Sequence, residues 1–83
     1  MSMDIKQLPP YEQDAYLSIV DGNDVTIYGK KGNVIVQRAA DDKKYEVYNT
    51  KTQTTSKVFN YPIEAFNVAC KIVGGFDNWQ TAK

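Results

Sequence analysis

Short apolar segments alternate with polar turn residues through the middle of this chain. Between residues 25 and 59 the segments are rich in Val, Ile, Tyr and Thr, and clusters of Gly, Asn, Asp and Lys separate them about every ten residues. This pattern predicts an antiparallel β-meander whose hairpins are closed by residues that tolerate positive φ. The predicted strands cover residues 25–28, 34–38, 44–48 and 56–59.

The segment before the meander, residues 14–20, fits two kinds of element. Alternation of Ala15, Leu17 and Ile19 favours a further strand that would form a hairpin with residues 25–28. A proline pair at residues 9–10 and a glycine at position 22 are instead typical of the start and end of a helix. The alternation makes the strand our preferred prediction, with the helix as the alternative.

The pattern changes to helical spacing after residue 60. Asn60 is a suitable N-cap, Pro62 fits the first turn, and Glu64 complements the helix dipole. Apolar residues then recur three or four positions apart until Gly74 and Gly75 end the helix. The apolar positions are Ile63, Phe66, Cys70 and Val73, with Ala65, Ala69 and Ile72 beside them.

These elements predict an α+β fold, namely an antiparallel β-meander of four or five strands followed by one C-terminal helix packed on one face. A chain of 83 residues has room for one domain, residues 1–83. We expect loose ends at residues 1–13 and 76–83, unless Phe76 and Trp79 dock on the body of the domain.

Composition narrows the function classes. The chain has no His and one Cys. Catalysis by Ser-His or Cys-His pairs and most zinc sites are therefore excluded. We expect no enzyme, no metal and no cofactor.

The sequence shows neither a membrane-spanning apolar run nor a secretory signal. A single Cys fits a reducing compartment. We therefore expect a cytoplasmic location without membrane contact. The aspartates of the turns match no calcium-loop spacing. They are Asp21, Asp24, Asp41 and Asp42.

A formal net charge of zero hides an uneven distribution. Residues 1–29 hold one Lys and five acids, whereas residues 30–57 hold seven bases and three acids. Alternate turns of a meander lie at opposite ends of the sheet, so the turn with Lys30 and Lys31 shares an end with the turn that holds Lys51. The sequence therefore predicts a small basic patch there, although turn lysines also serve solubility.

Period-2 alternation sorts the strand residues onto two faces. One face is apolar and suited to receive the helix: Val25, Ile27, Val34, Val36, Tyr45, Val47 and Val58. The opposite face carries Thr26, Tyr28, Ile35, Gln37, Glu46, Tyr48, Lys57 and Phe59. This second face holds too many large apolar groups for a solvent face. Either a second layer from Leu8, Tyr11, Tyr16, Phe76 or Trp79 covers it, or it is an interaction surface.

The leading hypothesis is a non-enzymatic binding module that contacts nucleic acid. Three aromatic side chains would stack on bases or pack against them, namely Tyr28, Tyr48 and Phe59, and four lysines would neutralise phosphates, namely Lys30, Lys31, Lys51 and Lys57. The alternative is a protein-binding module that uses the same face as an inhibitor, an assembly factor or a homodimer. Small compact chains that bind and block a host protein are common among phage and mobile-element proteins.

A meander followed by a helix that begins with Tyr61 and Pro62 resembles two known architectures over residues 25–73. One is the arm-binding module of phage and transposon integrases, which lays a three-stranded sheet in the major groove. The other is the single-strand-binding coactivator fold, a curved sheet with a helix that dimerises. Both are fold analogies that imply nucleic-acid binding, and both usually have more basic strands than this chain has.

Overall fold

The computed structural model describes residues 8–39 and 43–82 of the chain. The elements are α1 (Pro10–Val20), β1 (Asp24–Gly29), β2 (Gly32–Arg38), β3 (Tyr45–Asn49), β4 (Thr54–Thr55), α2 (Pro62–Ile72) and β5 (Asn78–Ala82). The predicted α+β class is confirmed, because antiparallel strands form one sheet in the order β4-β3-β2-β1-β5 and helices pack on it. Residues 1–7 of the predicted N-terminal loose end, Asp41, Asp42 and Lys83 lie outside the described residues.

The predicted strand over residues 14–20 is wrong, because these residues belong to helix α1. Ala15 and Ile19 are buried one turn apart, while Leu17, which the alternation placed with them, is 48% exposed. Pro10 begins the helix, which also includes residues 11–13 of the expected loose end. Gly22 adopts a φ of 102°, and its N–H donates to the Ile19 carbonyl, which closes the helix with a left-handed glycine.

Helix α2 confirms the predicted helix after residue 60, but it is the second of two helices among the described residues and is followed by β5, so the prediction of one helix at the end of the fold is wrong. The N-cap of α2 is Tyr61 with no side-chain cap bond, so Asn60 does not cap it as expected. At the other end the Gly74 and Gly75 N–H groups donate to the carbonyls of Lys71 and Cys70, at 3.1 and 2.9 Å. This glycine-terminated pattern satisfies carbonyls that the last helical turn leaves without a partner.

The last part of the meander contains a one-residue bulge. Tyr48 pairs with Thr55, which would place Val58 opposite Tyr45, but Tyr45 instead exchanges two backbone hydrogen bonds with Phe59, at 2.9 and 2.7 Å. An extra residue in one strand moves every following side chain to the other face. Phe59 therefore lies in the core, 8% exposed, and Val58 is 48% exposed, which reverses the predicted positions of both residues.

The C-terminal segment forms strand β5 and is not loose over residues 78–82. It pairs antiparallel with β1, at the opposite edge of the sheet from β4, with Trp79 opposite Ile27 and Gln80 opposite Thr26. The chain reaches this edge because α2 crosses over the sheet between β4 and β5. The fifth strand thus comes from the C-terminus, not from the segment before β1.

One hydrophobic core lies between the sheet and the two helices. Ala15 and Ile19 of α1 and Phe66 and Ala69 of α2 belong to the same buried cluster. The sheet contributes Val25, Ile27, Val34, Val36, Tyr45 and Val47 to it. Both helices therefore pack on the same face of the sheet, which leaves the opposite face without a covering element among the described residues.

Candidate functional site

The side of the sheet opposite the helices, here called the open face, is ordered by strand register into rows. The central row runs across all five strands and consists of Thr55, Tyr48, Ile35, Thr26 and Gln80. A second row, nearer the β1–β2 turn, holds Asn33, Tyr28 and Asn78. A third row, toward the other end, holds Glu46, Gln37 and Asp24.

Three large apolar side chains are neighbours on the open face. Tyr48 lies directly opposite Ile35, and Tyr28 is diagonal to Ile35 on β1. All three are half-buried, and Thr26 beside them is only 8% exposed. We call Tyr28, Ile35 and Tyr48 the aromatic stripe.

The proposed second layer does not cover the aromatic stripe. Leu8 belongs to the core cluster, and Tyr16, Phe76 and Trp79 pack against that cluster. Tyr11 packs on Phe76, with 5.4 Å between ring centroids. Each aromatic or apolar residue considered for a second layer therefore lies on the helix side of the sheet, and that interpretation is wrong.

The open face has no basic side chain on its described strands. Arg38 shares its face with Val34 and Val36, and its guanidinium lies 5.3 Å from the centre of the Tyr45 ring on the core side. Glu46 and Asp24 give the third row a negative charge. The Gln37 side-chain amide donates to the Glu46 carboxylate at 2.7 Å, which fixes the carboxylate across the β2–β3 pair.

Two residues predicted for the binding face lie elsewhere. The bulge places Phe59 in the core, and the Lys57 ammonium lies 5.5 Å from the centre of the Phe59 ring. The Lys57 ammonium therefore lies beside Phe59 and not beside the aromatic stripe. Only Tyr28 and Tyr48 remain of the predicted aromatic set on the open face.

The predicted basic end is assembled as the meander requires. Lys30 and Lys31 lie in the β1–β2 turn and Lys51 in the turn after β3. The Thr50 hydroxyl, next to Lys51, donates to the Asn33 carbonyl at 2.9 Å and also contacts the Asn33 side-chain oxygen, which joins the two turns. All three lysines are exposed at the end of the sheet nearest Tyr28.

Lys31 also has a structural role at the basic end. Its N–H donates to the Val73 carbonyl at 2.8 Å, and its aliphatic chain passes so close to Gly74 that a Cβ there would lie 3.0 Å from Lys31 Cγ. A cation beside the C-terminus of α2 interacts favourably with the helix dipole. The Lys31 stem thus leans toward the helix side of the sheet.

Cys70 is the single thiol of the chain. Burial, with a smaller effect from the nearby Glu12 carboxylate, raises the pKa of the Cys70 thiol to about 12, so the thiol is protonated at neutral pH. Over residues 8–39 and 43–82, no three His, Cys, Asp or Glu side chains are grouped so that they could hold a metal ion. In the same part of the chain, no helix has the length and apolarity needed to cross a bilayer.

Comparison of the chain with known proteins identifies no related protein. The chain matches no model of a known protein family, no curated protein and no solved structure.

Proposed function

We propose that this protein is a non-enzymatic binding module whose open face binds a protein partner. The observation that carries the proposal is the aromatic stripe on a sheet face that no described element covers. Half-buried tyrosines and an isoleucine offer contact area at low cost in side-chain entropy, as in the energetic centres of protein interfaces. The chain's lack of His and the protonated Cys70 thiol support a non-catalytic role.

The surroundings of the aromatic stripe have the composition of an interface rim. Hydroxyl and amide side chains border it, and they can donate and accept hydrogen bonds without a net charge. They are Thr26, Asn33, Gln37, Thr55, Asn78 and Gln80. A partner that covers the stripe would exclude water from Tyr28 and Tyr48 while it bonds to this polar border.

Charge favours a protein over nucleic acid on this face. A polyanion laid across the open face would meet Glu46 and Asp24 and no basic strand residue. Phe59, which supported the nucleic-acid hypothesis, lies in the core, and the Lys57 ammonium lies against its ring. A neutral net charge likewise gives no long-range attraction for a phosphate backbone.

Nucleic acid remains the second candidate, on one specific observation. Lys30, Lys31 and Lys51 share the end of the sheet next to Tyr28, so one strand could place phosphates on the turns and a base on the tyrosine ring. Three lysines would give weak binding with a strong salt dependence.

The test compares two tyrosines of this chain. Immobilised wild-type protein and the variants Tyr48→Ala and Tyr61→Ala are exposed to lysate from the source cells. Tyr61 is 64% exposed at the start of α2, away from the open face, so its variant controls for the loss of a surface tyrosine. We expect a partner retained by the wild type and Tyr61→Ala, lost at least tenfold with Tyr48→Ala, and insensitive to moderate salt.

A parallel titration with labelled single-stranded DNA distinguishes nucleic-acid binding at the basic end from protein binding at the open face. The double variant Lys30→Glu/Lys31→Glu should leave protein capture unchanged. Oligonucleotide binding that falls steeply with salt, disappears in that variant and persists in Tyr48→Ala would contradict the protein-binding proposal and support the basic end instead.

A further inference from the structure

We infer that strand β5 is a self-complementary edge through which two copies of this chain pair into one continuous sheet. The inference concerns the edge of the sheet and does not require that the open face binds a partner, although Asn78 and Gln80 of β5 also border the aromatic stripe. It follows from a difference between the two edges, from the direction of the β5 backbone groups, and from the register that a two-fold axis allows.

The two edges of the sheet are protected to very different degrees. Edge strand β4 has two residues, Thr54–Thr55, and is followed by the bulge and by Lys57. Short strands, bulges and lysines are the devices that prevent an edge from pairing with another chain. Edge strand β5 has five residues, Asn78–Ala82, with no Pro, no charged residue and a regular register with β1. The group within β5 that competes with a further strand is the Asn78 side-chain oxygen, which accepts the Trp79 N–H.

The backbone groups that β5 presents outward can be assigned. The Asp77 N–H donates to the Tyr28 carbonyl at 2.8 Å, so the Tyr28 backbone faces β5. The direction of the backbone N–H and C=O groups alternates along a strand. The backbone groups of Asn78 and Gln80, which pair with Tyr28 and Thr26, therefore point toward β1. Those of Trp79 and Thr81 point away from the sheet. In agreement, the Trp79 N–H is bonded by the Asn78 side-chain oxygen, at 2.8 Å.

This arrangement is complementary to itself. In an antiparallel pair with a two-fold axis at Gln80, Trp79 lies opposite the partner's Thr81, and Thr81 lies opposite the partner's Trp79. Each of these two pairs exchanges two hydrogen bonds, and all five residues of the strand take part. A two-fold axis at Trp79 or Thr81 would leave part of the strand without a partner strand residue.

The distribution of charge selects the antiparallel direction. Beside β5, Asp21 and Asp24 outweigh Arg38, whose guanidinium lies next to Gly22, at one end of the sheet, and at the other end Lys30 and Lys31 outweigh Asp77. Antiparallel pairing brings the acidic end of one copy to the level of the partner's basic turn, about 14 Å across three strand spacings. A parallel pair would bring like ends together. At this distance the attraction is felt mainly at low ionic strength.

A charge swap at the two-fold axis tests the inference. Gln80 is exposed, and in the pair it lies directly opposite the partner's Gln80. By sedimentation velocity at several protein concentrations, we expect a wild-type dimer and an about fivefold higher Kd in Gln80→Lys and in Gln80→Glu, because like charges then face each other. An equimolar mixture of the two variants should recover the dimer, which a folding defect would not allow.

Two further variants act on the backbone groups alone. Thr81→Pro removes an outward N–H without touching the bonds to β1, so two of the four intermolecular bonds are lost and the Kd should rise about thirtyfold or more. Asn78→Ala frees the Trp79 N–H and should lower the Kd severalfold. Thr55→Lys, on the opposite edge, is the matched control and should leave the dimer unchanged.

Three results would overturn the inference. One is a wild-type protein that stays monomeric over the whole concentration range. Another is a dimer that Thr55→Lys weakens and Gln80→Lys does not. The third is a dimer that Tyr48→Ala abolishes while Thr81→Pro has no effect, because that result would place the contact on the open face.

Discussion

Replacing Phe59 with Ala should remove most of the free energy of unfolding of this protein, whereas replacing its neighbour Val58 should change it little. The bulge at residues 56–58 puts the Phe59 ring in the core and leaves Val58 half-exposed at the β4 edge. Loss of a buried phenylalanine side chain costs about 3–4 kcal/mol, through lost transfer free energy and the cavity that remains. Loss of two half-exposed methyl groups costs about 0.5 kcal/mol.

The size of the protein makes this difference easy to measure. A domain of 83 residues has a free energy of unfolding near the lower end of the usual range, about 5 kcal/mol. Phe59→Ala would leave about 1–2 kcal/mol of it, and with a urea slope of about 1 kcal/mol/M the midpoint should fall by about 3 M. Trp79 packs against the core, so its fluorescence reports the transition.

The opposite order of the two destabilisations would contradict the bulge. Without the bulge, Val58 would lie opposite Tyr45 in the core, and the order of the two effects would be reversed. A Val58→Ala variant that is destabilised more than Phe59→Ala would therefore refute the register derived from the Tyr45–Phe59 pair. Phe59→Leu, which keeps most of the volume, should lose about 1 kcal/mol and serves as the intermediate case.

Two more predictions concern the end of β1 and the single thiol. Gly29→Ala would put a Cβ 2.3 Å from the Gly75 carbonyl oxygen, so β1 and the α2–β5 connection would have to separate. We expect this to lower the free energy of unfolding by about 3 kcal/mol, which a lower Tm would show. Gly32→Ala meets no atom within 4 Å but strains a φ of 131°, at a cost of about 1 kcal/mol, so it is the comparison variant, and a loss in Gly29→Ala no larger than this would contradict the close approach. The pKa of Cys70 is raised from 9.0 to about 12 in the folded protein, so the folded state favours the protonated thiol; its contribution to stability is complete below pH 9.0 and declines as the pH rises toward 12. Urea midpoints across this range should fall more in the wild type than in Cys70→Ala, and parallel curves would show that the thiol is not buried as described.

Part of the proposed binding surface could be derived from the sequence, and part could not. Short turns fix the strand register of a meander. The sequence therefore predicted that Tyr28 and Tyr48 share one face of the sheet. It also predicted that the turn lysines share one end, namely Lys30, Lys31 and Lys51. The displacement of Phe59 was not predictable, because a bulge is fixed by pairing across the sheet and leaves no distinct local pattern. The same bulge removed Lys57 from the predicted site.

The sequence by itself determined the elements whose signals are local. Period-2 alternation and turn residues specified β1, β2 and β3, and helical spacing with a glycine pair specified α2. These features need only neighbours in the chain, since turn conformation and apolar periodicity act over a few residues.

Tertiary structure decided the elements that depend on distant partners. Residues 14–20 alternate like a strand, yet burial of Ala15 and Ile19 against the sheet and α2 makes them a helix. Residues 78–82 have little strand pattern of their own and become β5 because β1 offers an edge for them. Phe59 enters the core because Tyr45 pairs with it and not with Val58. In each case the free energy gained by burial and by backbone pairing with a distant segment exceeds a weak local preference, and only the folded chain brings those segments together.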